Sequence, residues 1–235
     1  MSYPIAETFV SIQGEGHWTG TPMFFLRLAG CNVGEYCTSS VDYDYPTSDE
    51  DVQMNNAIQL YNEKKHSLCT VEDGSRFICD TDYRKTESLS VKQICARIGE
   101  QPIEHVCLTG GEPFLHELDE LIVGLSVKYK VHIETSGTKP IKPYGWITCS
   151  PKQGFLQENA KFVSEFKYLV GAATKFMAVE HFFNNACQFD QPFYLQPING
   201  VHNVWHSNLQ RCLEFLKLRP DWKLSAQLHK YLEVR

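Results

Sequence analysis

The chain has 235 residues, of which 43% are hydrophobic and 21% charged, and its formal net charge is −6 at pH 7. These values are ordinary for a globular protein, and the length suits a single domain over residues 1–235. The acidic balance argues against a nucleic-acid partner, because phosphate backbones are bound by basic surfaces.

No apolar run in the sequence approaches the roughly 20 residues that cross a bilayer. The first residues, Met1-Ser2-Tyr3-Pro4, are not a basic segment followed by an apolar one, so we expect no signal peptide. The sequence therefore predicts a cytoplasmic protein with no membrane partner. In such a protein, nine cysteines are more readily explained by metal or redox chemistry than by disulfides.

The first predicted elements are two strands. Residues 9–12 are β-prone and run into a glycine-interrupted polar turn, and residues 23–28 form an apolar strand that carries Arg27. A charge at that depth needs an anionic partner, which could be a ligand or, alternatively, an acidic residue at the edge of the sheet. The second strand ends at Gly30-Cys31-Asn32, which places a thiol at its carboxyl end.

Residues 38–68 interrupt the pattern with a polar stretch that is poor in strand formers. A capping box formed by Ser48 and Asp51, with a loose helical rhythm after it, predicts an inserted loop with a short helix. The insertion could cover the cysteine-bearing loop, or it could be a surface elaboration.

From residue 88 onward, strands and helices alternate. A capping box formed by Ser90 and Gln93 begins the first helix. Further strands are predicted over residues 105–109, 131–135, 146–149, 165–170, 193–196 and 223–227. Helices are predicted around residues 91–98, 118–125, 173–183 and 209–216. This alternation predicts an α/β fold, namely an incomplete (partial) βα barrel of about six parallel strands with its chemistry at their carboxyl ends.

Four cysteines of the first third of the chain are candidate metal ligands: Cys31, Cys37, Cys69 and Cys79. Three thiolates can hold an iron–sulfur cluster and leave one iron open to a further ligand. A zinc site is the alternative, although zinc prefers four ligands. The remaining cysteines with a clear pattern lie in apolar segments, where they are predicted to be small buried hydrophobes: Cys95, Cys107, Cys149 and Cys212.

A second informative motif, Gly110-Gly111-Glu112-Pro113, follows a predicted strand. Glycines let a ligand approach the backbone closely, and a glutamate there could accept the ammonium group of an amino-acid ligand. An ordinary tight turn between strand and helix is the alternative.

Taken in order, these motifs resemble those of the radical S-adenosylmethionine superfamily and, within it, of the 7-carboxy-7-deazaguanine synthase family of the queuosine precursor pathway. The resemblance covers nearly the whole chain. Its markers are the segment 9–16, Arg27, Gly30-Cys31-Asn32, Cys79-Asp80-Thr81-Asp82, Thr109-Gly110-Gly111-Glu112-Pro113, Glu134-Thr135-Ser136-Gly137, Ser150-Pro151-Lys152, Gln196-Pro197 and the tail 227–232.

The resemblance implies an enzyme that uses a 4Fe–4S cluster, S-adenosylmethionine and Mg²⁺. Its reaction would begin with a 5′-deoxyadenosyl radical that abstracts hydrogen from 6-carboxy-5,6,7,8-tetrahydropterin. Ring contraction with loss of ammonia would then give 7-carboxy-7-deazaguanine. The family also implies an electron donor such as flavodoxin, and a homodimer. The alternatives are another radical enzyme, such as a glycyl-radical activase, and a non-catalytic zinc-binding module.

The family's residue roles carry over by motif. The substrate-binding residues implied are Ile12, Gln13, Gly14, Glu15, Arg27, Thr109, His229 and Arg235, the last through the terminal carboxylate. The S-adenosylmethionine contacts implied are Ile78, Asp80, Gly111, Glu112, Ser150, Pro151, Lys152 and Gln196. The implied metal ligands are Cys31, Cys69 and Cys79 for the cluster and Thr81 for Mg²⁺. No catalytic side chain beyond the cofactor is implied.

The cysteine spacing departs from the CxxxCxxC pattern of the superfamily. Glu35 stands at the fourth position after Cys31, and Arg76 stands three positions before Cys79. The middle ligand must therefore be Cys69 or Cys37. We favour Cys69, because residues 72–75 form a turn signal between two β-prone pieces, and a hairpin there would fold Cys69 back beside Cys79.

Overall fold

The computed structural model describes residues 1–36, 67–188, 190–200 and 204–234. Most of the predicted insertion over residues 38–68 lies outside these ranges, so its loop and short helix are untested. Cys37 and Arg235 also lie outside the described residues.

Twelve strands are described: β1 (Ser2–Ile12), β2 (Pro22–Leu28), β3 (Glu35–Tyr36), β4 (Ser67–Thr70), β5 (Arg76–Ile78), β6 (Glu87–Ser90), β7 (His105–Gly110), β8 (Lys130–Thr135), β9 (Trp146–Cys149), β10 (Glu165–Val170), β11 (Phe193–Pro197) and β12 (Lys223–Leu224). The described α-helices are α1 (Val91–Gly99), α2 (Asp119–Ser126), α3 (Phe176–Ala186), α4 (His206–Leu218) and α5 (Leu228–Leu232). Two 3₁₀ helices cover Pro113–Leu115 and Gln157–Phe162.

Nine of the described strands form one sheet in the order β12-β11-β10-β9-β8-β7-β2-β1-β6. The run from β2 through β7 to β12 is parallel, whereas β1 is antiparallel to both β2 and β6. The predicted partial βα barrel is therefore confirmed, with seven parallel strands when the two-residue β12 is included. Among the described strands, β6 and β12 are the two ends of the sheet, so the barrel is incomplete.

The two faces of the sheet differ because alternate residues of a strand point to opposite sides. Val106, Leu108 and Ile133 belong to a large buried apolar cluster that also contains helix residues such as Ile94 and Leu121. This is the core between the sheet and the helices. The intervening residues, such as Thr109 and Glu134, face the other side, where the sheet is lined by polar side chains.

The helix α1 begins after Ser90, where the local sequence signals predict a helix. Ser90 is the N-cap of α1, and Ser90 and Gln93 form the predicted capping box. Ile94 and Ile98 on its inner face are buried. Of the cysteines predicted to be buried hydrophobes, Cys107, Cys149 and Cys212 are buried and Cys95 is half-buried.

The last predicted strand, over residues 223–227, is wrong beyond its second residue. The strand β12 ends at Leu224, and the short helix α5 that follows the next three residues was not predicted. The chain leaves the sheet because its next polar side chains bond inward: Ser225 Oγ donates to Gln196 Oε1 over 2.9 Å, and Gln227 Oε1 accepts from Asn199 Nδ2 over 3.0 Å.

A small antiparallel sheet, β3-β4-β5, carries the predicted hairpin. Cys69 of β4 stands opposite Phe77 of β5, and the turn is closed by a hydrogen bond of 2.7 Å from Val71 N to Ser75 O. Beyond β5, Cys79 N donates to Ser67 O over 2.8 Å. The hairpin therefore brings the segments of Cys69 and Cys79 side by side, as the turn signal predicts. Over the residues that the structure describes, no helix is long and apolar enough to cross a membrane.

Candidate functional site

A cavity of about 1330 Å³ opens at the carboxyl ends of the parallel strands. It is bordered by the ends of β2, β7 and β8, by Ser150 after β9, by β10 and by the segment that follows β11. All the described residues that the motifs predicted for the site line this cavity, with two exceptions, Glu112 and Pro151. Residues that are far apart in sequence are thus brought to one place.

Three cysteines border the cavity: Cys31 after β2, Cys69 in β4 and Cys79 after β5. The backbone N–H groups of Val33 and Gly34 each donate to Cys31 Sγ over 3.4 Å. A hydrogen bond from the Cys69 thiol lowers the pKa of Cys79, whereas burial raises the pKa of Cys31. Cys31 also interacts electrostatically with Cys79, and all three thiols border the same cavity.

These thiols fit an iron–sulfur cluster. A cluster is held by single thiolates on separate irons, and here three separate chain segments each present one thiol to the same cavity. Within the described ranges, no three Cys, His, Asp or Glu side chains are close enough together to bind one metal ion. Cys37, the rival for the middle position, lies outside the described residues, so the choice between it and Cys69 stays a prediction.

The Gly-Gly-Glu-Pro turn packs directly on the first cysteine. A Cβ atom on Gly111 would lie 2.0 Å from Gly30 O and 2.6 Å from Cys31 Cβ. Glu112 N donates to Gly30 O over 3.0 Å. Only a residue without a side chain allows this approach, so the turn and the cysteine loop form one unit.

Glu112 itself does not reach the cavity as the ammonium-binding role would suggest. It is fully buried, and its carboxylate accepts hydrogen bonds from Phe114 N, from Thr135 Oγ1 and from both the N–H and the hydroxyl of Ser136. These bonds join the turn after β7 to the end of β8. The carboxylate is therefore engaged by protein donors, and the described residues of the turn that line the cavity are Gly110 and Gly111.

Two predicted substrate residues share one carboxylate that the predictions did not assign. Gln13 Nε2 donates to Glu134 Oε1 over 3.1 Å, and Thr109 Oγ1 donates to Glu134 Oε2 over 2.9 Å. Glu134 belongs to a marker of the family resemblance, but its role is visible only once β7 and β8 are seen to be neighbours.

Glu15 is held by a residue that sequence reasoning missed. Its carboxylate forms a close ion pair with Lys167 of β10 and accepts from Gln227 Nε2 over 2.8 Å. Burial alone would raise the pKa of Glu15, but the charges of Lys167 and His229 and these hydrogen bonds lower it to about 2. The available signal was a charged residue in the interior of a largely apolar strand, the same signal that drew attention to Arg27.

Arg27 pairs with an acidic residue, which is one of the two environments considered from the sequence. Its Nε lies 3.5 Å from Glu7 Oε2, and its Nη1 donates to Thr81 Oγ1 over 2.7 Å. The guanidinium also lies over the ring of Phe9, 5.7 Å from the ring centre. The charge is therefore balanced by a protein carboxylate while the side chain lines the cavity.

The tail of the chain is joined by an ion pair to the residue that follows Cys79. Lys230 Nζ lies 2.8 Å from Asp80 Oδ2 and also donates to Gly200 O over 2.8 Å. Burial would raise the pKa of Asp80, but the charge of Lys230 outweighs this effect and holds the pKa below its ordinary value. His229, the neighbour of Lys230, lines the cavity.

A partial βα barrel whose cavity is bordered by three cysteines and a Gly-Gly-Glu-Pro turn has the features of the radical S-adenosylmethionine class that the motifs predict. Comparison with known proteins identifies the group within that class. The chain is 33% identical, over the full length of both proteins, to the 7-carboxy-7-deazaguanine synthase of Buchnera aphidicola subsp. Schizaphis graminum. It is 30% identical, again over both full lengths, to the 7-carboxy-7-deazaguanine synthase of Escherichia coli (strain K12).

The crystal structure of QueE from Escherichia coli matches the fold with a TM-score of 0.69 at 28% sequence identity, covering 97% of this chain and 95% of that one. No family model matches the chain. On the identity of its full-length relatives, the chain belongs to the 7-carboxy-7-deazaguanine synthase family. Membership implies S-adenosylmethionine and a 4Fe–4S cluster as cofactors.

Proposed function

We propose that this chain converts 6-carboxy-5,6,7,8-tetrahydropterin into 7-carboxy-7-deazaguanine with loss of ammonia, in 7-deazapurine biosynthesis. The observation that carries the proposal is the full-length identity to enzymes named for that product. It is supported by one cavity that is lined by described residues of all three predicted subsites, for cluster, S-adenosylmethionine and pterin, with Glu112 and Pro151 as the exceptions.

Cys31, Cys69 and Cys79 would hold the 4Fe–4S cluster. When bound there, the cluster and S-adenosylmethionine supply the radical that removes hydrogen from the substrate. The protein's own work is to orient the two small molecules and to exclude water and oxygen. The close packing of Gly111 on Gly30 and Cys31 fixes the cysteine loop against the wall of the cavity.

The S-adenosylmethionine subsite would lie between the cysteines and the polar inner face of the sheet. A single β-bridge joins Val71, next to the hairpin of Cys69, to Lys152. Lys152 Nζ donates to Ser150 O over 2.9 Å and lies over the ring of Phe77. The predicted contacts that line this part of the cavity are Ile78, Asp80, Gly111, Ser150, Lys152 and Gln196; Pro151 would contribute by shaping the loop.

The pterin subsite would use Gln13, Glu15, Arg27, Thr109 and His229, with Ile12 and Gly14 as backbone contacts. Arg27 is suited to the substrate carboxylate, since guanidinium groups bind carboxylates in forked pairs. Its Nε is buried and, among the described residues, has no hydrogen-bond partner. The terminal carboxylate of Arg235 is proposed as a further pterin contact on the family resemblance alone.

We also propose that Thr81 binds Mg²⁺ together with the substrate. The Thr81 hydroxyl lines the cavity and accepts a hydrogen bond from Arg27. A cation beside that guanidinium is repelled unless an anion lies between them, and the substrate carboxylate would be that anion. Mg²⁺ should therefore bind tightly only with the pterin present, and Thr81→Val should remove this coupling. Tight Mg²⁺ binding without pterin would contradict the proposed order.

The central experiment is anaerobic reconstitution with iron and sulfide, followed by an assay with S-adenosylmethionine, the pterin and a chemical reductant. We expect a brown protein with iron–sulfur absorbance, and 7-carboxy-7-deazaguanine detected by mass spectrometry. The Cys31→Ala variant should lose both colour and product, whereas Cys212→Ala, which removes a thiol buried in the core, should keep both.

The same experiment separates the alternatives. A glycyl-radical activase would contain the cluster but leave the pterin unchanged, and a zinc module would bind zinc and remain colourless. A flavodoxin-type electron donor stays a prediction, which reduction of the cluster by a flavodoxin would test. A homodimer also stays a prediction, which analytical ultracentrifugation would test.

A further inference from the structure

Lys167 is a buried ammonium group at the inner face of the sheet. Its side chain is 5% exposed and forms an ion pair with Glu15. A second carboxylate, Glu134, lies 3.9 Å from Lys167 Nζ. An isolated buried charge costs several kcal/mol or more, so it persists only where opposite charges surround it.

The two carboxylates beside Lys167 are joined to the proposed pterin site. Glu134 accepts from Gln13 and Thr109, as described above, and both of those residues line the cavity. Glu15 lines the cavity itself. Lys167, which also lines the cavity, is therefore joined to three of the proposed pterin contacts, directly to Glu15 and through Glu134 to Gln13 and Thr109. The family motifs did not assign it.

The charges around Lys167 also shift the pKa values of Lys167 and Glu15. Glu15, Glu134 and Glu165 face the ammonium group and raise its pKa above the ordinary value, although burial acts in the opposite direction. Glu15 in turn has its pKa lowered to about 2. Without a nearby positive charge, burial would instead raise the pKa of Glu15.

We infer that Lys167 is a positioning residue for the pterin, holding the side chains of Glu15 and Glu134 in place so that Gln13, Glu15 and Thr109 present fixed hydrogen-bonding groups to the substrate. The inference rests on the proposed function, because it assumes that these residues bind the pterin. Lys167 acts through its neighbours and need not touch the substrate.

The test uses the reconstituted enzyme with Lys167→Met, which keeps the length of the side chain and removes the charge. The dissociation constant of the pterin should rise by about tenfold or more, while iron content and S-adenosylmethionine affinity stay within about twofold of the wild-type values. The matched control is Lys142→Met, since Lys142 forms its ion pairs with Glu117 and Asp119 outside the cavity. This control should leave all three quantities unchanged.

The pH dependence distinguishes positioning from a general structural role. Without the ammonium group, Glu15 should take up a proton closer to neutral pH, because the charge of Lys167 lowers its pKa against the effect of burial. The ratio of the variant's pterin dissociation constant to the wild-type constant should therefore rise as the pH falls from about 8.5 to about 6. Lys167→Arg, which keeps the charge, should show a flat ratio over the same range.

Wild-type pterin affinity in Lys167→Met, or a ratio that does not change with pH, would overturn the inference. So would a parallel loss of iron, S-adenosylmethionine binding and pterin binding. If Lys167→Met does not fold, the double variant Lys167→Met/Glu15→Gln takes its place, because it leaves no uncompensated charge at position 15. Wild-type pterin affinity in this double variant would again overturn the inference.

If the wild-type enzyme neither binds nor converts the pterin, the proposed function itself has failed. Conversion by the wild-type enzyme with no selective effect at position 167 refutes the positioning role alone.

Discussion

Gly14 and His229 are in contact because Gly14 has no side chain: a Cβ atom at position 14 would lie 2.2 Å from His229 Nδ1. The two segments are also joined through the backbone, since Leu228 N donates to Gly14 O over 2.9 Å. The turn after β1 and the tail of the chain therefore form one wall of the cavity, although they are separated by most of the sequence.

This contact gives the first prediction. Gly14→Ala must displace the imidazole of His229, so the pterin dissociation constant should rise by about tenfold and the free energy of unfolding should fall by about 1–3 kcal/mol. Binding calorimetry and urea unfolding measure the two effects. Gly99→Ala is the matched control, because a Cβ there meets no atom closer than 3.9 Å. An unchanged pterin affinity in Gly14→Ala would mean that His229 does not hold the substrate.

The second prediction concerns the middle cluster ligand. Cys69 is hydrogen-bonded to Cys79 and borders the cavity with Cys31, so Cys69→Ala should lower the iron bound per chain and abolish turnover. Cys37→Ala should leave both close to the wild-type level. Iron analysis and the visible absorbance after anaerobic reconstitution measure the difference. The reverse pattern would assign Cys37 as the ligand.

The fold was predictable where the sequence signal is local. The capping box at Ser90, the turn between Cys69 and Cys79, and the alternation of apolar strands with amphipathic helices each depend on neighbouring residues. Because parallel strands meet at their carboxyl ends, that alternation also places the polar residues after the strands in one cavity. The gathering of predicted residues from residue 12 to residue 229 follows from this rule and the motifs together.

The parts that were not predicted depend on contacts between distant segments. The ion pair of Lys167 with Glu15 joins β10 to the turn after β1, and no local pattern indicates that pairing. Likewise, the bonds of Ser225 and Gln227 to side chains near β11 end the last strand early. Glu112 belongs to a family motif, but its burial and three of its four hydrogen bonds appear only with the neighbouring strand β8 in place.

The third prediction tests the packing of the Gly-Gly-Glu-Pro turn on the cysteine loop. A Cβ atom on Gly111 would meet the carbonyl oxygen of Gly30, a backbone atom that cannot move aside like a flexible side chain. Gly111→Ala should therefore displace Cys31, lower iron incorporation several-fold and destabilise the protein by about 2 kcal/mol or more. Iron analysis and thermal unfolding, with Gly99→Ala as the reference, measure this. Normal iron content would show that the cysteine loop does not depend on the turn.

A cluster of aromatic and imidazole rings lies near the amino ends of the parallel strands. His105 Nδ1 lies 2.8 Å from His132 Nε2, and the ring of Trp18 packs against both imidazoles and against Trp146. Burial, followed by the charges of His105 and Lys130, lowers the pKa of His132 to about 4. Trp18 belongs to the turn that carries Gln13 and Glu15, so the packing of these rings anchors that turn to the strands β7, β8 and β9.

The fourth prediction follows from the sign of that shift. Because the folded pKa of His132 lies below the unfolded value of about 6.5, the unfolded chain binds more protons between these values, and stability is lost as the pH falls from about 6.5 to about 4. This residue alone should cost about 2 kcal/mol of unfolding free energy between about pH 7 and about pH 5. His132→Phe keeps an aromatic ring against Trp18 and should reduce the pH dependence of the unfolding free energy by that amount, whatever its effect at pH 7.

The control is His206→Phe, at an exposed position, which should leave the slope of unfolding free energy against pH unchanged. Urea unfolding of the three proteins at both pH values measures the slopes, and equal slopes for His132→Phe and the wild type would show that His132 accepts a proton in the folded state as readily as in the unfolded chain.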